Sequence, residues 1–112
     1  MSQKLYDLAN ELQRTFRQLP EYQAVAAVRN EINQDELAKE LLDSYVAFNQ
    51  SLQVKAQMGQ LPDQDDQKRL QEFQEQLEGN ELIRTYFEKQ QTLSVYVSDL
   101  ERLVFQPLQD LL

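Results

Sequence analysis

The sequence predicts an all-α protein: a helical bundle of about five helices, built around a long antiparallel helix pair, and oligomeric. Three observations predict it. Apolar residues recur three or four apart through most of the chain, the spacing of one helix face. Only two Gly and three Pro occur, and each falls where a helix would start or stop rather than in the turn of a sheet. Two of the expected helices, each about 36 Å long, match or exceed the roughly 35 Å diameter of a compact chain of this length.

The first helix runs from about Gln3 to Gln18, with Leu5, Leu8, Leu12, Phe16 and Leu19 on one stripe. Pro20 disfavours helical geometry at Leu19 and suits the first turn of a second helix, expected over 20–32. Asn33 and Glu36 stand three apart before the next periodic run and form a variant capping box for a third helix. That helix carries Leu37, Leu41, Tyr45, Phe48 and Leu52 and ends near Met58, with Gly59 as a left-handed cap.

The stretch Gly59-Gln60-Leu61-Pro62-Asp63-Gln64-Asp65-Asp66-Gln67 has the look of a cation loop. A calcium loop starting at Asp63 needs Gly at its sixth position and Glu at its twelfth, and Lys68 and Gln74 stand there. A helix start fits better, with Asp63 as cap and Asp65 and Asp66 in the first turn; a surface divalent-ion site is the minor alternative. Leu70, Phe73 and Leu77 then form the stripe of a short fourth helix closed by Gly79.

Asn80 caps a fifth helix, expected from Glu81 to Phe105 and ended by Pro107. Ile83, Tyr86, Gln90, Leu93, Val97, Leu100 and Val104 alternate three and four apart for three heptads. Leu82, Tyr96 and Leu103 widen this seam beyond what a two-stranded coil hides. Gln90 is its one polar residue, either a device that fixes register or oligomeric state or a stem lying along the bundle edge with its amide in water. Ile83, Tyr86, Gln90, Leu93, Tyr96, Val97, Leu100, Leu103 and Val104 are therefore the expected oligomer or partner interface. The long third and fifth helices are expected to pair antiparallel. Residues 107–112 form either a short docked helix or a frayed end.

Composition narrows the chemistry. The 112 residues carry a net charge of −8, so no direct nucleic-acid partner is expected, because phosphate binding needs clustered cations. There is no Cys and no His, which removes thiolate chemistry, disulfides, the commonest general base and the commonest transition-metal ligand. Glu36 and Glu40, and Glu72, Glu75 and Glu78, recur at helical spacing, but carboxylate di-metal bundles pair such residues with His. Neither a nucleophile elbow nor a Gly-rich phosphate loop occurs. The expectation is a protein with no catalytic residues, metal or cofactor. Glutamine, roughly one residue in six, is dispersed along helix faces as uncharged helical surface. The N-terminus lacks a basic start and an apolar run, and no eighteen apolar residues occur together; a cytoplasmic protein without membrane insertion is expected. No linker composition divides the chain, so 1–112 is read as a single domain.

The order Tyr6-Asp7-Leu8-Ala9-Asn10-Glu11-Leu12, Pro20-Glu21-Tyr22, Gln57-Met58-Gly59 and Asn80-Glu81-Leu82-Ile83, followed by Tyr86, Leu93, Leu100 and Leu103, resembles the YlbF/YmcA family of small bacterial helical proteins. It looks closest to the YheA-like branch. The resemblance implies an all-helical, oligomeric cytosolic protein of Gram-positive bacteria. It also implies a non-enzymatic regulatory partner in competence, biofilm formation and sporulation, acting through a membrane-associated ribonuclease. Some members contribute cysteines to iron–sulfur clusters, a role this cysteine-free chain does not share. Two functions follow as expectations: a self-associating protein-interaction module with other protein subunits as further partners, or a small-ligand or metal sensor with a pocket near Tyr45, Phe48 and Tyr86.

Overall fold

A computed structural model describes residues 2–112. Five helices follow one another: α1 (Gln3–Arg17), α2 (Pro20–Gln34), α3 (Glu36–Gln57), α4 (Gln64–Glu78) and α5 (Glu81–Gln109). No strand occurs among the described residues. The chain divides into a terminal unit, residues 2–28 with 86–112, and a central unit, 29–85.

Each helix boundary has a local chemical cause. Ser2 caps α1, its Oγ accepting from the Leu5 amide at 3.2 Å, a cap the sequence reading passed over. At the other end Gln23 Nε2 donates to the Arg17 carbonyl at 2.6 Å, satisfying one of the orphan acceptors of the last turn. Pro20 opens α2 as expected.

The capping box expected at Asn33 and Glu36 is corrected. Asn33 lies inside α2, which continues to Gln34, and the cap is Asp35, whose carboxylate accepts from the Ala38 amide at 3.1 Å. Both residues are good caps. Asp35 wins because helical backbone through Asn33 lets α2 run on to Gln34.

The end of α3 is a Schellman motif. Gln60 N donates to Lys55 O at 2.8 Å and Gly59 N to Ala56 O at 3.0 Å, with Gly59 at φ 77. Asp63 and Asp66 then form a reciprocal capping box for α4: the Asp66 amide donates to Asp63 at 2.8 Å and the Asp63 amide to Asp66 at 3.2 Å. Asn80 caps α5 through the Ile83 amide at 3.1 Å.

In the central unit α3 packs against α4 as a helix hairpin. The six residues between Gln57 and Gln64 return the chain directly, and short connections favour neighbouring antiparallel helices. Tyr45 and Phe48 meet Phe73 with ring centroids 5.6 Å and 5.5 Å apart. Arg69 covers the same ring, its guanidinium 4.7 Å from the centroid. Ile32, Ala38, Leu42, Phe73, Leu77 and Ile83 are buried. The α3 stripe is turned by about one residue from the expected one: Ala38 and Leu42 lie at its centre, and Leu37 is 74% exposed.

The fifth helix does not stop before Pro107. It runs through it to Gln109, and the Asp110 amide still donates to Gln106 O at 3.1 Å. Proline deletes one helical donor, but residues 101–112 are all exposed, so water can satisfy the freed carbonyl.

Candidate functional site

The terminal unit carries the surface that needs explaining. Among the described residues, thirteen of the eighteen large exposed apolar side chains belong to it, against five in the central unit. Scattered apolar residues are ordinary on protein surfaces, whereas a concentration of this kind makes the terminal unit the candidate site.

Its first wall is α1. No residue of that helix is buried, although Leu5, Leu8 and Leu12 repeat on one face. Only Phe16 is partly covered, its ring edge-on to Tyr22 at 5.7 Å. The second wall is the distal half of α5. An open apolar groove of about 360 Å³ lies between them, lined by Leu12 and Phe16 from α1 and by Val97, Leu100, Val104 and Phe105 from α5.

The expected interface residues separate along α5. Ile83 and Leu93 are buried within the chain, Tyr86 and Leu100 are half-buried, and Gln90, Tyr96, Val97, Leu103 and Val104 are exposed. The proximal part of the seam therefore belongs to the interior, and the distal part is open. Gln90 sits on the exposed side with its amide 3.5 Å from the Tyr86 hydroxyl, one helical turn away. Tyr96 donates to Glu21 at 3.2 Å, and this hydrogen bond to a carboxylate, reinforced by its negative charge, raises the phenol above its ordinary pKa of 10.0. Sequence reasoning placed no residue of α1 in the site. The signal was present as the stripe Leu5, Leu8 and Leu12, but a stripe alone does not say whether its own chain covers it.

Two of the residues named for a ligand pocket, Tyr45 and Phe48, lie in the central unit. Both fill against Phe73. No group of three or more metal-ligating side chains occurs among the described residues. The Asp63 and Asp66 carboxylates of the apparent cation loop instead receive Lys55, at 3.8 Å and 2.6 Å. No helix among the described residues is long and apolar enough to cross a membrane.

Comparison with known proteins agrees with this architecture over nearly its whole length. A UPF0342 protein of Streptococcus suis (strain 05ZYH33) is 48% identical over 112 residues, covering 100% of both chains. A UPF0342 protein of Streptococcus pyogenes serotype M4 is 49% identical over 111 residues, 99% of this chain and 98% of its own. The fold is shared with a solved structure, a protein of unknown function (DUF964) from Bacillus stearothermophilus, at a TM-score of 0.80 and 19% identity over 97% of this chain and 96% of that one. The family model described as control of competence regulator ComK, YlbF/YmcA, matches residues 5–109, and the chain belongs to that family.

Proposed function

We propose that this chain is a non-enzymatic, cytoplasmic protein-interaction module that assembles with itself and acts as a regulatory adaptor, in competence or biofilm control or in RNA processing. The observation that carries the proposal is the open apolar surface of α1 and distal α5, including a whole helix with no buried residue. A 15-residue helix is marginal in water without tertiary packing, so α1 calls for a cover. The family's link to competence control supports the regulatory role. The lack of His and Cys supports a non-enzymatic one, and a net charge of −8 argues for protein rather than nucleic-acid partners. One family model spanning 5–109 supports reading the chain as a single domain. Closest kinship with the YheA-like branch is part of the same proposal.

Capture of the tagged protein at its native level, with mild crosslinking and mass spectrometry, tests it. The expected result is recovery of further copies of the chain together with defined protein partners, both reduced by Leu100→Asp. Recovery of neither would overturn the proposal.

A further inference from the structure

We infer that the groove on the α3–α4 hairpin is the docking site for a basic amphipathic helix of another protein, which lays an aliphatic side chain against Leu37 and Phe73 and sets Lys or Arg against Glu36 and Glu40. This gives the adaptor proposed above a second surface, independent of self-association and of the α1 and α5 face. The groove, of about 290 Å³, lies wholly within the central unit. Its walls are Leu37, Leu41 and Ser44 of α3 and Arg69, Phe73 and Gln76 of α4. Both sets are spaced i, i+4 and i+7, so each wall is one helix face and the groove follows the two helices for two turns, about 10 Å. A third helix is the element that fills such a furrow, because its side chains enter the space between two helical ridges. The buried Phe73 ring forms the floor, and Leu37 stands at the edge with 74% of its surface exposed.

Charge selects the partner. The central unit holds six Lys and Arg against twelve Asp and Glu, a net −6 of the chain's −8. Four of those cations are already committed: Arg29 and Lys39 to Asp43, Lys55 to Asp63 and Asp66, and Arg69 to Glu72. Arg69, the cation in the groove, also lies over the Phe73 ring, so it offers little charge to an incoming anion. Glu40 lines the groove and Glu36 precedes it by one turn, and neither has an ion pair among the described residues. An acidic protein, a second copy of this chain or a phosphate backbone would be repelled here. An aliphatic anchor flanked by cations matches both the apolar floor and the free carboxylates.

The probe is a synthetic amphipathic peptide of about 18 residues, leucine on one face and lysine on the other, carrying one tryptophan. It is titrated with the full chain, which has no tryptophan of its own, so the fluorescence reports the peptide alone. Micromolar binding is expected at low salt, weakening about tenfold between about 0.05 M and about 0.5 M salt, with no binding of the same peptide made with glutamate for lysine. Leu37→Asp is the deciding variant. It adds negative charge, so association by charge alone would tighten, whereas loss of the apolar anchor is expected to weaken binding about tenfold. Leu37 is exposed, so the variant keeps its packing, and unchanged far-ultraviolet circular dichroism checks this. Glu40→Gln is expected to weaken binding about threefold and to flatten its salt dependence. No binding of the lysine peptide, equal binding of the glutamate peptide, or a Leu37→Asp chain that binds as tightly as the wild type would each overturn the assignment, and would leave the α1 and α5 surface untouched.

Discussion

The Lys55 ammonium lies 2.6 Å from Asp66 Oδ2 and 3.8 Å from Asp63 Oδ2, between the two carboxylates that give the stretch its look of a cation loop. One side chain at the end of α3 thereby meets the capping box that starts α4. The hydrogen bond from Lys55 holds the Asp66 carboxyl below its ordinary pKa of 3.8, and the same bond holds Lys55 above 10.5. Asp66, depressed in the folded state, contributes stability that is present above pH 3.8 and lost as the pH falls through its lowered value. Lys55, raised, contributes stability that is present below pH 10.5 and lost as the pH rises through its raised value. Asp66→Asn should therefore flatten the acid limb of a stability-versus-pH curve measured by urea unfolding, while the wild type loses stability there. Identical acid limbs would show that the pair is not formed in solution. Both groups reach solvent, so the effect is modest.

Asp63 also acts without charge pairing, as the helix cap. Asp63→Ala should destabilise the protein by about 1 kcal/mol at neutral pH, the usual cost of a lost N-cap. Thermal unfolding reads this as a Tm lower by about 4 °C for a chain of this size. Leu61→Ala, two residues earlier and 86% exposed, should shift stability by less than about 0.5 kcal/mol.

The two glycines are predicted to respond with opposite sign. Gly59 sits at φ 77, and alanine there has open space but a left-handed backbone to adopt, at about 1–2 kcal/mol. Gly79 is at φ −76, and an added Cβ would meet Glu75 O at 3.4 Å and Gln76 O at 3.6 Å, ordinary contact. Gly79→Ala should stabilise by about 0.4–1 kcal/mol through the unfolded chain. Equal effects of the two substitutions in denaturant unfolding would contradict the cap geometry.

Most helices were legible in the sequence because their boundary residues act locally. Asp63, Asn80, Pro20 and Gly59 each satisfy or remove a backbone group within one turn, and each stands where the sequence placed it. The errors arise where two local solutions compete. Asn33 and Asp35 are both good caps, and only the continuation of α2 separates them. Pro107 is read as a stop because it lacks a donor, yet an exposed last turn tolerates the loss. Leu37 and Ala38 both fit a stripe with Tyr45 at helical spacing, and packing against α4 decides for Ala38. The site was half legible for the same reason: the distal α5 seam reads from its heptads, whereas α1 enters the surface only once its stripe is seen to be uncovered.

Phe73 is where the central unit is most sensitive. Its ring is buried and meets Tyr45, Phe48 and Arg69, so Phe73→Ala should cost about 3–5 kcal/mol. Urea unfolding followed by far-ultraviolet circular dichroism measures it, and a loss under about 1 kcal/mol would mean that the α3–α4 hairpin is not held through this ring.

The most direct measurement of the central claim is amide hydrogen exchange along α1 as a function of protein concentration. No residue of α1 is buried within its own chain, so its amides have little protection beyond a marginal helix unless a partner covers the Leu5, Leu8 and Leu12 face. Exchange across 3–17 is expected to slow as concentration rises through the association range, while exchange around the buried Leu42 and Phe73 does not change. Rapid exchange throughout α1 at every concentration, from a chain that nonetheless keeps its central unit protected, would contradict it.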